Sequence, residues 1–482
     1  MKRAGLLASA MLAGCTVGPN YQRPATPTPP AFAEPHAPAG ISDTDAALWW
    51  REFGDPELDK LVTRAVAQNL DVESAAARIR EARARERVAG AAASPQVAAT
   101  GSTSRQRISE HAIPAPGGAA SGSPGGFAGP GSEFTTWRVG FDASWEIDLF
   151  GKTRRSVEAA QARTGAAVWN RRDAQLIAAA EVADAYLTLR TLQQRIATAE
   201  AEVDRQQRAL HLVNARVRGG LVTGQDLAQQ QSQLAAAQSA IPPLHAQADA
   251  QIHALGVLTG EAPEALIAEL TPPRALPAPP VVPPGLPSDL LHRRPDIRAA
   301  ERNLHAATAD IGVATADLYP TFSLSTAPAL ISTALGKLLE WGSRSYSASA
   351  ALDWPIFNGG RTRGNIAVAN AEQSQALIAY RKTILTALQD VEDALGNIDN
   401  DRAQLASLEE ARRSAARAED IARTRYNGGL VTYSDVLQAQ ASRVSLDGQL
   451  IQARGTLGRD TVALFKALGG GWPELAQGGA ST

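Results

Sequence analysis

Hydrophobic and polar positions along this chain follow two distinct periods. Trp137, Val139, Phe141, Ala143, Trp145, Ile147 and Leu149 alternate with Arg138, Gly140, Asp142, Ser144, Glu146 and Asp148. A period of two predicts a strand with one apolar and one polar face. The run extends well beyond the ~5–6 residues of a typical globular strand and suits the ~9–11 of a tilted membrane strand with some overhang. Tyr346, Ala348, Ala350, Leu352, Trp354 and Ile356 repeat the alternation more weakly. Strands are therefore predicted at about 134–149 and 345–357, with shorter ones near 96–107 and 321–330. A soluble sandwich is the competing reading, but four strands scattered among helices make a poor one.

The second period is helical. No proline and a single glycine occur from Thr153 to Arg218. Within that span Leu189, Leu192, Ile196, Ala199, Val203, Gln206, Leu210, Val213 and Val217 step by three and four, a heptad seam with one polar interruption. Ile384, Leu388, Val391, Leu395 and Ile398 step the same way. Helices are predicted at about 153–218 and 362–427. Each would be roughly 100 Å long at 1.5 Å per residue, so such helices must lie side by side in a coiled-coil array. Gly219-Gly220 and Gly428-Gly429 end them, and a Gln- and Ala-rich returning helix follows each turn.

The same plan is written twice. Trp145 with Gly151-Lys152-Thr153-Arg154 returns as Trp354 with Gly360-Arg361-Thr362-Arg363, an offset of 354 − 145 = 209. The turn Gly219-Gly220-Leu221-Val222-Thr223, with Asp226, returns as Gly428-Gly429-Leu430-Val431-Thr432, with Asp435, at the same offset. Upstream, Leu70-Asp71-Val72 matches Pro295-Asp296-Ile297 and Pro95 matches Pro320, at 320 − 95 = 225. The first copy thus carries 225 − 209 = 16 extra residues, assigned to a Gly/Ser/Pro loop at about Ile113 to Ser132. The predicted organisation is a first repeat at 57–268, a second at 288–468 and a tail at 469–482. A linker at 269–287 joins the repeats, with eight prolines from Pro272 to Pro287.

No stretch approaches the ~18–20 apolar residues of a membrane helix, so a membrane crossing would have to be a closed β-barrel. Four strands cannot close one, because the smallest membrane barrels need ~8, and open edges in lipid leave amides unpaired. A membrane reading therefore forces an oligomer.

Composition narrows the chemistry. A net charge of −2 offers no strongly basic face for nucleic acid. One cysteine excludes intrachain disulfides and cysteine-cluster zinc sites. Gly151-Lys152-Thr153 echoes a phosphate loop, but Glu146 occupies the required glycine position. The seven histidines form no HExxH pair, and no Gly-x-Ser-x-Gly elbow is present. The chain is read as a non-enzyme without cofactors. Met1-Lys2-Arg3, an apolar run and Gly14-Cys15 make an export signal over 1–14, short for its kind. The Pro-rich 15–56 reads as an extended tether.

These features resemble known proteins in combination. Leu12-Ala13-Gly14-Cys15 resembles a bacterial lipobox, which implies a covalent lipid on Cys15. The paired strands, paired long helices and duplicated Gly-Leu-Val-Thr-x-x-Asp turns resemble the TolC-like outer membrane factor family. So does Arg293-Arg294-Pro295-Asp296-Ile297-Arg298-Ala299-Ala300-Glu301. Gly18-Pro19-Asn20-Tyr21, Trp49-Trp50, Asp55-Pro56 and Leu58 match its lipoprotein branch. The resemblance implies an α+β membrane protein. Its coiled-coil barrel would continue into a transmembrane β-barrel completed by trimerisation, with four strands from each chain. It implies an exit duct for drugs or other small toxic compounds, anchored in outer membrane lipid. A periplasmic membrane-fusion adaptor and an inner-membrane RND-type transporter are the implied partners. A type I secretion duct and a non-conducting lipidated spacer are the alternatives.

The resemblance also implies site roles. The tips Gly219, Gly220, Leu221, Val222, Thr223 and Gly428, Gly429, Leu430, Val431, Thr432 would meet the adaptor, against a reading as turn chemistry alone. Asp226 would bond Tyr426 and hold the periplasmic end shut. Asp435 would form an acidic ring, weakened because Gln438 stands where a second Asp occurs in the family's best-studied branch. Thr-x-x-Asp is also a capping-box pattern, which by itself would account for both aspartates.

Overall fold

A computed structural model describes residues 16–26, 28–33, 48–107, 109, 133–220, 222–283, 285 and 287–470. The export signal, Cys15, the loop from Ile113 to Ser132, Leu221 and the tail from 471 onward lie outside these residues. The chain forms two compact units. They do not coincide with the repeats. Among the described residues, one unit takes those within 1–22, 81–164 and 303–376, and the other those within 23–80, 165–302 and 377–482. Each draws on both copies, because the elements of one copy pair with those of the other.

The elements in chain order are α1 (Pro56–Gln68), α2 (Leu70–Ala91), β1 (Gln96–Arg107), β2 (Glu133–Ile147), α3 (Lys152–Arg218), α4 (Gly224–Ser239) and α5 (Ile241–Leu258). Two short helices follow, α6 (Ile267–Leu270) and α7 (Leu290–Arg293). The second copy gives α8 (Pro295–Ala316), β3 (Thr321–Thr326), β4 (Ala329–Ser332), β5 (Arg344–Ser345), β6 (Ala348–Asp353), α9 (Arg361–Asn427) and α10 (Tyr433–Ala467).

Among the described residues, all strands lie in the first unit and form one antiparallel sheet. The strand expected at 321–330 is two segments, β3 and β4, and that expected at 345–357 is also two, β5 and β6. The breaks are local. Ala143 faces Thr326 and Gly140 faces Ala329, three residues against three, so β2 keeps one register across the gap. The gap holds Pro328, which has no amide to give a ladder; its carbonyl accepts from Phe141 N at 2.9 Å. Thr321 faces Asp353 and Ala329 faces Ser345, again in one register. The sheet therefore has four lines of strand: β1, β2, β3–β4 and β5–β6. β1 and β5–β6 are its edges.

In the second unit the core gathers Trp49, Trp50, Phe53, Leu58, Leu61 and Val62 against Tyr186, Leu187, Leu189 and Leu192 of α3, with Val462 and Phe465 of α10. Trp49 stacks on Phe465 at 5.1 Å. Asp55 caps α1, accepting from Glu57 N at 2.8 Å, with Pro56 at the first helical position. Beneath it Tyr186 donates to Asp55 at 2.5 Å, and the buried Arg190 and Glu57 pair. The seam on α3 is buried or half-buried from Leu189 to Val217. The returning chain differs between copies. It is one helix, α10, in the second but two, α4 and α5, in the first, because Pro242-Pro243 cannot continue the helical ladder past Ala240.

Candidate functional site: a two-faced sheet and two hairpin tips

The pairing registers place the alternating residues of both repeats on shared faces. Trp145 is opposite Leu324, and Leu324 is opposite Ala350; Phe322 is opposite Ile147 and Leu352. One face therefore carries Val97, Val139, Phe141, Trp145, Leu324 and Leu352, all more than a third exposed. The other carries Thr100, Arg138, Asp142, Ser144, Ser323, Ser325 and Ser349. On that face Arg138 and Thr100 both donate to Asp142, at 2.9 and 2.8 Å, and Ser325 bonds Ser349 at 2.7 Å. A sheet with an apolar face outside any core and a bonded polar face opposite suits lipid on one side and water on the other. Among the described residues no helix is long and apolar enough to cross a membrane.

Two tryptophans fix the helix-side end of the sheet. Trp145 Nε1 donates to Ala93 O and Trp354 Nε1 donates to Leu318 O, both at 3.0 Å. Donors and acceptors are related by the repeat offsets, 354 − 145 = 209 and 318 − 93 = 225. The contact is thus built twice, and a half-exposed indole anchored by its N–H is the residue of a membrane interface.

The segment after Cys15 is clamped to this same unit. Val17 N donates to Phe150 O at 3.1 Å. Arg155 donates to the carbonyls of Val17 and Gly18 and to Asn20 Oδ1, the last at 2.7 Å. Tyr21 stacks on His305 at 4.4 Å, and His305 bonds Glu158 at 3.0 Å. Burial raises the Glu158 carboxyl, but hydrogen bonds from His305 and Arg155 outweigh it and hold it below the ordinary range. Gly18 has φ +88°, and a Cβ there would meet Gly312 Cα at 2.5 Å. Each member of Gly18-Pro19-Asn20-Tyr21 except the proline thus has a stated contact.

The tips belong to the second unit. Gly220 and Gly429 have φ of +69° and +71°, and a Cβ at either would meet nothing within 4 Å. Leu430 N donates to Arg425 O and Gly429 N to Tyr426 O, the paired bonds of a Schellman stop. Gly219, Thr223, Gly428, Gly429, Leu430 and Thr432 are exposed, and Val222 and Val431 half-buried. Both aspartates close capping boxes. Asp226 Oδ2 accepts from Thr223 N and Oγ1 at 2.9 and 2.8 Å, and Asp435 Oδ2 from Thr432 N and Oγ1 at 2.8 and 2.7 Å. The bond from the Thr432 hydroxyl, with that from its amide, keeps the Asp435 carboxyl below its ordinary range, hence charged at neutral pH.

Asp226 and Tyr426 share no hydrogen bond in the described chain. The Tyr426 ring instead lies 5.3 Å from Tyr433 and 5.2 Å from the Arg216 guanidinium. The hydroxyl that links the two hairpins is that of Tyr433, which donates to Gln230 Oε1 at 2.6 Å. Burial, with Tyr426 and Asp226 nearby and Arg216 opposing, pushes that hydroxyl up to about 12, so it stays a donor. Sequence reasoning missed Tyr433 and Gln230. The available signal was Gln206, the polar residue in the seam, which is the partner of Gln230. Among the described residues no cluster of metal-ligating side chains occurs.

Comparison with known proteins decides the family. The profile described as outer membrane efflux protein matches this chain twice, at residues 61–261 and 286–470. The chain belongs to the outer membrane efflux protein family. The second match starts 286 − 61 = 225 residues after the first and ends 470 − 261 = 209 after it, the same two offsets as the internal repeat. The pyoverdine export outer membrane protein OpmQ of Pseudomonas aeruginosa is 34% identical, over 99% of this chain and 98% of its own. Nodulation protein T of Rhizobium leguminosarum is 31% identical over 97% and 93%. The solved outer-membrane channel OprN superposes with a TM-score of 0.84 at 32% identity, covering 95% of this chain and all of that one.

Proposed function

We propose that this outer membrane efflux protein is the exit channel of a tripartite pump, with three copies closing one barrel from their four-stranded sheets. The observation that carries the reading is the open sheet with an exposed apolar face and a hydrogen-bonded polar face. Its edges β1 and β5–β6 need partners in lipid, and a second and third copy supply them. The long helices continue the duct on the periplasmic side. A membrane-fusion adaptor meets the tips at Gly219–Thr223 and Gly428–Thr432, and an inner-membrane RND-type transporter drives the cargo. Small toxic compounds are the cargo class. Asp226, Tyr426 and Asp435 sit at the gate end, where three copies of the exposed Asp435 favour cations.

A lipid on Cys15 adds a second anchor. The preceding clamp supports this, because Thr16 lies against Gly151, just past the end of β2. The test is complementation: a strain lacking this protein should become drug-sensitive, and wild-type chain should restore resistance. Unchanged sensitivity of a deletion strain across a broad set of toxic compounds would contradict an efflux role.

A further inference from the structure

The helices join the sheet at one end: β1 follows α2, β2 precedes α3, β3 follows α8 and β6 precedes α9. The far end has a chemistry of its own. Residues directly opposite in an antiparallel pair share a face. Arg107 is opposite Glu133, Arg105 is opposite Thr135, and Arg344 is opposite Leu330, which is opposite Val139. Along β2, Glu133, Thr135, Trp137 and Val139 alternate onto the apolar face. The three exposed arginines therefore stand at the far end of the apolar face, and Glu133 is the one acid on that face among the described strand residues. Arg105 pairs with Glu133 at 3.0 Å, but both side chains are more than half exposed and the contact is a weak one. The Arg344 guanidinium lies 4.1 Å over the ring of Trp341, an indole that is 79% exposed. In the turn between β4 and β5, Lys337 and Glu340 offset each other in charge.

We propose that this far end of the lipid-facing side binds the phosphates of a phosphorylated lipid headgroup in the outer leaflet of the membrane. A guanidinium fork matches phosphate oxygens in pairs. Basic side chains next to a lipid-facing surface are the usual recognition of an anionic lipid, and Trp341 is the aromatic expected at headgroup depth. The apolar face below the arginines takes the acyl chains. A soluble anion would satisfy the arginines alone and leave Trp341 and that face uncovered, which favours a lipid. β1 and β5 are opposite edges of the sheet. When three copies close a barrel, β1 of one copy meets β5–β6 of the next. Arg105 and Arg107 then come to the same seam as the next copy's Arg344 and Trp341. The site is thus made three times and is incomplete in one chain.

The inference rests on the three-copy barrel, and its test separates the two. The full-length trimer in detergent is titrated with purified lipopolysaccharide. Native mass spectrometry reads the lipid retained, and calorimetry reads trimer melting. Up to three lipids per trimer and a higher melting temperature are expected. The dephosphorylated lipid should bind several-fold more weakly, and inorganic phosphate at equal concentration should leave melting unchanged. Arg105→Gln/Arg107→Gln/Arg344→Gln should lose several-fold in affinity with single-channel current as in wild type. Arg344→Lys keeps the charge without the fork and should lose part of that. Equal binding by the triple variant, equal binding of the dephosphorylated lipid by wild type, or equal stabilisation by inorganic phosphate would overturn the site. If the triple variant does not assemble, the wild-type comparison of the two lipids decides alone. Trimers indifferent to the phosphates sink this inference only, whereas the absence of trimers sinks the barrel.

Discussion

Gly455 of α10 shows how little room single residues have between the repeats. A Cβ there would fall 2.2 Å from Thr191 Oγ1 and 2.8 Å from its Cγ2 on α3. That hydroxyl is already bound to Leu187 O at 2.7 Å and cannot turn away freely. Gly455→Ala should therefore destabilise by ~1–3 kcal/mol, as overpacking does. Thermal melting should show the loss, with part of it regained in Gly455→Ala/Thr191→Ala. The tip glycines are the opposite case. Gly429 needs its positive φ, at ~1–2 kcal/mol for another residue, but meets no neighbour. Gly429→Arg should leave trimer and membrane insertion intact and abolish efflux; normal drug resistance in that variant would leave the tip with turn chemistry alone. Residue roles were only partly legible in the sequence. The glycine stops and Thr-x-x-Asp caps depend on local backbone and could be read directly. The Tyr433–Gln230 bond joins residues 203 positions apart, and nothing local marks it.

Among the elements, the long helices and the outer alternation were legible because each rests on a sustained period. The interruptions at Pro328 and at Tyr346-Ser347 were not. The first lay in the sequence unread, since a proline has no amide for a ladder; the second faces it across the sheet, where Ala327 N donates to Ser347 O, and no residue of its own strand marks it. The α9–α10 pair carries a pH-dependent contact of the same hidden kind. Burial, then the neighbouring Asp460 carboxyl, pushes the Asp401 carboxyl up to about 6, with Arg459 opposing. Asp184 on α3 faces the same Arg459 and Asp460 and is raised by burial. A carboxyl raised in the folded state stabilises fully below its unfolded value near 3.8. That contribution is lost as pH rises through about 6. Asp401→Asn should thus melt higher than wild type at pH ~7.5, and the difference should shrink toward pH ~4. An equal difference at both would show that the contact is not titrating.

At the scale of the whole molecule, duplication explains why the compact units cut across the repeats. The first copy supplies β1 and β2 and the second β3–β4 and β5–β6 of one sheet, and α10 of the second copy packs into the core built on α3 of the first. The family profile starts and ends its two matches at the same offsets that separate the paired tryptophan contacts. Both faces of the sheet stay exposed in one chain, which a soluble domain would not leave so. Single-channel recording on the purified wild-type protein in a planar lipid bilayer tests this account most directly. Discrete, cation-preferring current steps are expected from the trimer. Trimers that insert into the membrane and pass no current would mean that the chain is a lipidated spacer and that its polar sheet face lines no pore.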